Sequence, residues 1–592
     1  MRNYDRETCR AGSPELIFKK RSHITRMNGR RVKLHKKTYI SFLSLLLALM
    51  PAATKAAGFL HASAQDIVDD GGNKILLRGV GLGNWLLPEG YMWKFDGAGD
   101  RPRKIEKIVT DLAGPQYAQQ FWSEYRRNYV TEADIRRIAQ LGYNSVRPAL
   151  NSRLFLTEGD QPVFQAEGFE ILDNLVKWSK RYGIYVIIDM HAAPGGQTGQ
   201  NIDDSANDQP ELFMDKKYQA RLLDLWVKLA DRYKDEPTVA GYDLLNEPLP
   251  QRTGAAGKYK DQLEPLYKEI TQAIRRVDKK HMIIVEGADW ANDWSAFSAP
   301  FDPNMVYQFH YYCWDQPSVL KSIEPYLAYQ KKFNVPVWVG ETGEANDAIY
   351  WATTEYFEAN NIGWSFWPWK KMGAMNDPYS YATPKDWAAV RDYVEGGDKP
   401  SIETAQRAFD ELLENIRLEN CTFHPDVVNA MFRQVPGQVA ARNYGEEGPD
   451  KSYFVNDTKQ NSQYYRKSEP VPIIATNTGR HESEQVVALG AGEWTAYTIN
   501  CTAAKGDYET IARVKASGMP AEVELMIDDQ PCSATIATNT WGEISLGTHS
   551  LSTGPHHLKW LVKTGTVQLD WFDMRLKSGG QLSANLDPAN QE

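Results

Sequence analysis

Between about residue 73 and residue 370, eight short apolar runs alternate with amphipathic stretches, and this alternation constrains the fold more than any other feature of the chain. The runs are "KILLRGVGLGNW", "YNSVRPAL", "IYVIIDMH", "VAGYDLLNE", "MIIVEG", "MVYQFHYY", "VPVWVGET" and "IGWSFWPW". Between them lie helix-like segments such as "EADIRRIAQLG", "GFEILDNLVKWSKRYG" and "YQARLLDLWVKLADRYK". Strand and helix alternating eight times over this length predict an α/β chain, a (β/α)8 TIM barrel. A doubly wound open sheet is the alternative, but no glycine-rich phosphate loop follows the first run.

A barrel places its chemistry at the C-terminal ends of its strands. Here those ends carry Arg147, Asp189, His191, Asn246, Glu247, Glu286, His310, Tyr312, Glu341 and Trp367, while the run interiors are apolar. A purely structural barrel has no reason to gather ionisable groups there. Glu247 follows the fourth run and Glu341 the seventh, nearly opposite one another in an eight-membered ring. Two carboxyl groups facing each other across a cleft suit hydrolysis of a glycosidic bond with retention: one gives a proton to the leaving oxygen, the other attacks the anomeric carbon. The first must hold its proton while the second is ionised, so their surroundings should differ.

The segments "RGVGLGNWLLPEGYMW", "NSVRPAL", "IIDMHAAPGGQ", "LLNEP", "FHYY", "VGETGE" and "WSFWPWK", in this order, resemble glycoside hydrolase family five across nearly the whole barrel. The resemblance implies that Glu247 is the acid/base and Glu341 the nucleophile. It implies a substrate-binding shell of Arg147, His191, Asn246, His310, Tyr312 and Trp367, with Trp367 stacking on a sugar ring. "GNWLLPEG" is similar to the exo-β-1,3-glucanase branch, which makes Glu89 a contact of the terminal sugar. The loop "HAAPGGQTGQNIDDS" is similar to the same branch and offers Asp203 or Asp204 as a further contact. One glycine of that branch's "GGW" is replaced by Asn84. The expected substrate is a β-glucan, β-1,3 favoured, cleaved by a possible exo action; endo-acting β-1,4- or β-1,6-glucanase, mannanase and non-catalytic sugar-binding surface protein are the alternatives. No cofactor and no metal are expected in the barrel.

The remaining segments set the context. Residues 1–38 carry 12 Lys/Arg and 3 Asp/Glu and precede "YISFLSLLLALM" and then small residues, the order of a secretory signal. Cleavage is expected after Ala64 or nearer Ala56, Met27 is an alternative start, and a signal anchor is the alternative reading. The mature chain is then expected to be secreted, periplasmic or at the cell surface, with no membrane span. Residues 1–64 hold 13 Lys/Arg and 3 Asp/Glu, so removing them takes the formal charge from −9 to −19. Such an acidic chain is an unlikely partner for nucleic acid; the expected partner is a polysaccharide or oligosaccharide, and the chain is expected to be a monomer. Cys501 and Cys532 could pair, or the thiols could stay free, and no spacing suggests zinc.

After the helical "ETAQRAFDELLENIRLEN" the texture changes to short alternating runs, which predict a C-terminal antiparallel β-sandwich. The expected organisation is a targeting segment over 1–64, the barrel over 65–415, a linker over 416–436, the sandwich over 437–580 and a tail over 581–592. "RNYGEEGPDKSYFVNDT", "GEWTAYTINCTAAKGDYETIARV" and "VQLDWFDM" resemble carbohydrate-binding module family six. That resemblance implies an accessory sugar site with Tyr465 and Trp541 as an aromatic clamp and Gln568 where the family has asparagine. It also implies a structural calcium, but the family's acidic opening is replaced by Ala440 to Arg442, which argues against one.

Overall fold

The computed structural model describes residues 58–95, 97–313, 322–445, 447–460, 462, 466, 469–476, 484–501, 506–518 and 520–578. Most of the expected targeting segment, the residue Tyr465 and the expected tail lie outside these. Eight parallel strands close into a barrel: β1 Arg78–Leu82, β2 Ser145–Asn151, β3 Tyr185–Ala192, β4 Val239–Asp243, β5 Met282–Glu286, β6 Met305–His310, β7 Val337–Gly343 and β8 Gly363–Trp367. Strand β8 pairs back onto β1 through Ser365 opposite Gly79, which completes the ring. The (β/α)8 expectation therefore holds.

Helices cover the outside where the sequence is amphipathic. The helix Ala166–Tyr182 buries Phe169, Leu172, Leu175, Val176 and Ser179, a stripe at helical spacing, and ends at Gly183 with φ of 69°. The helix Glu132–Gln140 starts with a capping box between Thr131 and Asp134. Between β5 and β6 the described chain has only the 3-10 turn Trp294–Ala296, so this crossover lacks the α-helix of its neighbours.

Inside the barrel, alternation along each strand sorts the side chains into layers. Ile187, Met282, Ile284, Val306 and Trp338 form an apolar floor together with Leu60 and Ile67. Leu60 precedes and Ile67 belongs to the hairpin of His61–Ser63 with Asp66–Val68, which is tied to the barrel by the Ala62 amide donating to Asn304 Oδ1 at 2.8 Å. A cut after Ala64 would fall in the turn of this hairpin and remove its first strand. Two residues further up the strands the inward positions turn polar: Asp189 above Ile187, Glu286 above Ile284 and Gln308 above Val306. His191 and His310 stand one step higher again. The bottom is closed by hydrocarbon, so chemistry is possible only at the C-terminal mouth.

The expected linker is a packed connector. Its helix Pro425–Phe432 lies against α1, the helix Asp347–Ala359 that follows β7. Thr354 Oγ1 donates to the Met431 carbonyl at 2.8 Å, and Arg433 bridges to Glu358 at 2.6 Å. The C-terminal strands form two six-stranded, mainly antiparallel sheets. Trp494–Cys501 alternates half-buried and buried residues along its whole length, as a sandwich strand with one face on a core must. Cys501 and Cys532 form no disulfide with one another.

Candidate active site

Arg147, fully buried on β2, is the hub of the mouth. Its Nε donates to Asp243 Oδ2 at 2.8 Å, Nη1 to Glu341 Oε1 at 2.7 Å, and Nη2 to Asn246 Oδ1 at 2.7 Å and Glu286 Oε1 at 3.0 Å. Asp189 Oδ1 lies 3.2 Å from Nη2. Guanidinium is the one side chain that offers this fork and cannot lose its charge. Four carboxyls around one cation exceed its charge, and the surplus is relieved by protons. Burial pushes Asp189 up to about 8 and raises Asp243 well above the carboxylate range. Burial also pushes Glu286 up, but His310 and Arg147 outweigh it and hold this carboxyl below its usual range.

Glu341, 4% exposed at the end of β7, receives two donors: Arg147 on Oε1 and the Tyr312 hydroxyl on Oε2 at 2.8 Å. Burial raises its carboxyl, with the charges of His310 and Arg147 opposing. Both hydrogen bonds favour the anion and leave it oriented toward the cleft. Glu247, 8% exposed, sits just after β4 with φ of 42°, a left-handed backbone that a side chain adopts only when its surroundings impose it. Its own amide donates to Glu286 Oε2 at 2.6 Å, and its Oε1 meets His310 Nδ1 at 2.7 Å. Burial disfavours a charged His310, but Glu286, Glu341 and Glu247 outweigh it and hold the imidazole well above its usual range. The ligand atoms of Glu247, His310 and Glu341 all lie within 4.8 Å of one another. That closeness suits two carboxyls acting on one glycosidic bond by double displacement, where the pair stands about 5–5.5 Å apart rather than the wider spacing of a single displacement. The same three groups are also the described residues best placed to hold a cation.

Because Asn246 Oδ1 accepts from Arg147, its amide is oriented with Nδ2 toward His191 Nε2 at 3.3 Å. His191 Nδ1 meets Asp189 Oδ2 at 2.7 Å, and burial lowers this imidazole to about 4, so it stays neutral. Its ring stacks on Trp367 with centroids 5.2 Å apart and planes 4° from parallel. Trp367, expected to stack on a sugar ring, is 3% exposed, so only a small part of the indole faces the mouth. The indole packs over β1: a Cβ on Gly81 would lie 2.3 Å from Trp367 Cε3, and one on Gly83 2.6 Å from Cζ2. This explains the last two glycines of "GVGLG"; the first, Gly79, faces Ser145. Gly81→Ala should displace the indole at a cost of about 1–3 kcal/mol, read as a lower melting temperature, and should lower kcat/KM at the same time. Unchanged values for both would contradict this packing.

The loop after β1 brings Glu89 and Tyr91 to the same mouth. Tyr91 accepts from Trp367 Nε1 at 3.1 Å. Glu89 is 2% exposed, and its Oε1 has no hydrogen-bond partner among the described residues. Burial, then the charges of Glu341, Glu344 and Glu247, push its carboxyl well above the usual range. Asn84 holds the loop: its backbone has φ of 63°, and its Oδ1 accepts from the Glu89 amide at 3.2 Å and Trp93 Nε1 at 2.8 Å. Asparagine tolerates that conformation, which is why it can stand where the resembling branch has glycine.

Other expected residues fall elsewhere. Asp203 Oδ2 accepts from Thr198 and Gly199 within its own loop, and Asp204 is bound to Asn151, Arg153 and Arg103. Both carboxylates are spent on the loop's architecture. Trp541 and Gln568 share no hydrogen bond or ring contact among the described residues, and their buried Nε1 and Oε1 have no partner. Asp243 and Gln308 are the residues that sequence reasoning missed; their one signal was an inward position in runs that otherwise read as apolar.

Residues 109–373 match the family described as cellulase (glycosyl hydrolase family 5). A β-xylosidase of Phanerodontia chrysosporium is 29% identical over 352 residues, which cover 53% of this chain and 71% of that protein. A probable glucan 1,3-beta-glucosidase A of Neosartorya fischeri is 30% identical over 242 residues, 40% of this chain and 56% of that protein, so the match spans little more than half of that relative. Among solved structures, one described as endogalactoceramidase has 16% identity and a TM-score of 0.44, covering 87% of this chain and 99% of that one. The match to glycosyl hydrolase family 5 falls within the barrel, and together with the related glycosidases it makes the chain a glycoside hydrolase.

Proposed function

We propose that the protein is a retaining β-glycosidase that removes sugars from the end of a β-glucan, β-1,3 linked, and that it acts outside the cytoplasm. The observation that carries the reading is the contact of Glu247 and Glu341 through His310 at the barrel mouth. Glu341 attacks the anomeric carbon while Glu247 protonates the departing oxygen, giving a glycosyl-enzyme. Glu247 then takes a proton from water, which attacks the same carbon and releases the sugar with its configuration retained. As the ester forms, the negative charge that Arg147 and Tyr312 held on Glu341 is spent on the new bond to the anomeric carbon. Asn246, its amide oriented by Arg147, donates to the sugar 2-hydroxyl. The glucan reading rests on the probable glucan 1,3-beta-glucosidase among the relatives and on Glu89, a buried carboxyl close enough to feel the charges of Glu341 and Glu247. The β-xylosidase relative supports a second reading, a xyloside in the same site.

Two measurements test the proposal. Incubation with β-1,3-, β-1,4- and β-1,6-glucans, mannan and xylan should give glucose alone from the start on the β-1,3-glucan. An early ladder of oligosaccharides would contradict the exo reading, and faster release of xylose would favour the second. Glu89→Ala should lower kcat/KM on short glucans tens of fold, since a carboxyl bonded to sugar hydroxyls contributes about 1.5–3 kcal/mol per bond. Among the described residues the cation acting on Glu89, Lys371, is paired instead with Glu344 and Asp377, so the melting temperature should not fall. A variant that melts earlier with normal kinetics would make Glu89 a wall residue.

A further inference from the structure

Glu341 stands where two apolar cores meet. Tyr311, Tyr312 and Cys313 continue the chain past the end of β6, and Glu344 and Ala345 continue it past the end of β7. The Tyr311 amide joins the two, donating to the Glu341 carbonyl at 2.9 Å. Tyr312 packs against the barrel core while its hydroxyl donates to Glu341 Oε2 at 2.8 Å. The next residue belongs to a different core. Cys313 is 1% exposed and shares the apolar cluster of the sandwich, with Val435, Val439 and Phe572, and with Ile349 and Trp351 of α1. Tyr311 and Ala345 pack against both clusters. On the β7 side the Ala345 amide donates to the Tyr350 hydroxyl of α1 at 2.8 Å, and α1 itself lies against the connector helix Pro425–Phe432.

A sugar-binding module on a tether would leave these strand ends alone. Here the junction is apolar and sealed, with Val435 and Val439 fully buried, so the sandwich does not move independently of the barrel mouth. Close-packed interiors pass displacement on rather than absorb it. Consecutive Cα atoms are held about 3.8 Å apart, so a Cys313 that settles into a hole carries Tyr312 with it. The hydroxyl of Tyr312 is then the group most exposed to the shift, because a hydrogen bond weakens steeply once its distance and angle are lost.

We propose that the sandwich is part of the catalytic scaffold: through Cys313 it positions the Tyr312 hydroxyl, and with it the Glu341 carboxylate, for attack. Cys313 touches no substrate in this role and is a positioning residue. The role rests on Glu341 being the nucleophile, as proposed above.

The test uses the full chain and an activated aryl glycoside, which fills the barrel site alone. Tyr312→Phe sets the reference and should lower kcat/KM about tenfold or more, because a hydrogen bond to a charged group is lost. Cys313→Ala, and Val439→Ala on the sandwich side, each open a small hole in the shared cluster. Either should lower kcat/KM about fivefold or more, the kind of loss that follows when a positioned group shifts. In every one of these variants the acid limb of the kcat/KM profile should move to higher pH, since the carboxylate loses a donor that favours its charged form. Arg147, His310, Glu247 and His191, which also face Glu341, are unaltered in them. In the Tyr312→Phe background Cys313→Ala should cost less than about twofold more, because the hydroxyl it acts through is gone. If one of the two cluster variants does not fold, the other decides. A lower melting temperature with parental kcat/KM and an unmoved acid limb would make the junction packing alone and overturn the proposal. So would an equal loss with and without the Tyr312 hydroxyl. Parental kcat/KM in Tyr312→Phe is the distinct result that would remove the reading of Glu341 and its donors, and the positioning role with it.

Discussion

Glu341→Gln should lower kcat by about four to six orders of magnitude, the upper figure being the scale seen when a nucleophile is removed from a constellation that otherwise stays assembled. The substitution keeps the shape of the side chain and the Tyr312 contact at 2.8 Å but deletes the charge that attacks. It also takes one carboxylate from a crowded group around Arg147, so the fold should tolerate it: Asp243, Glu286 and Asp189 still neutralise the guanidinium. Kinetics on an activated aryl glycoside and a melting curve should be read together. A loss below tenfold with a normal melting curve would remove Glu341 from the nucleophile's role, and Glu247 would have to be reconsidered with it.

Glu247→Ala should behave differently on two classes of substrate. Polysaccharides, whose leaving oxygen needs a proton, should lose about 10²–10⁴-fold in kcat. Aryl glycosides with good leaving groups should form the glycosyl-enzyme at close to the normal rate and then stall, because no base activates the incoming water. Azide needs no base, so adding it should restore turnover and yield a β-glycosyl azide. The cavity left by the side chain adjoins His310 Nδ1, which loses its 2.7 Å contact with Glu247 and keeps Glu286 as a counter-charge at 3.3 Å. An α-glycosyl azide, or no rescue at all, would show that Glu247 does not act as the acid/base of a double displacement.

Much of this site was legible because a barrel strand has a period of two and a defined end. Arg147, Asn246, Glu247, His310, Tyr312, Glu341 and Trp367 stand at ends of apolar runs, and the fold brings them to one mouth. Asp243 and Gln308 were not legible. Each reads as a polar residue near the end of a strand, and what makes them part of the site is a partner far away: Asp243 meets Arg147 across 96 residues, and Gln308 meets Asp243 across 65. That His191 covers one face of Trp367 could not be read from the chain, because the two rings belong to different strands. Asp203 and Asp204 looked like sugar contacts because an acidic loop and a polar cleft wall have the same composition. Only the geometry shows their oxygens bound to Thr198, Gly199 and the neighbouring arginines. The connector had the Pro and charged residues of a linker, yet Val427, Val428, Met431 and Phe432 form an apolar face that α1 covers.

The central claim is that Glu247 and Glu341 cleave the glycosidic bond in two displacements. Proton NMR of the anomeric region during the first minutes of hydrolysis of a β-linked aryl glycoside tests it most directly. The geometry predicts that the β-anomer of the released sugar appears first, with the α-anomer growing in only as mutarotation proceeds. An α-anomer formed first would mean a single displacement by water, which the closeness of the two carboxyls does not accommodate, and would contradict the account.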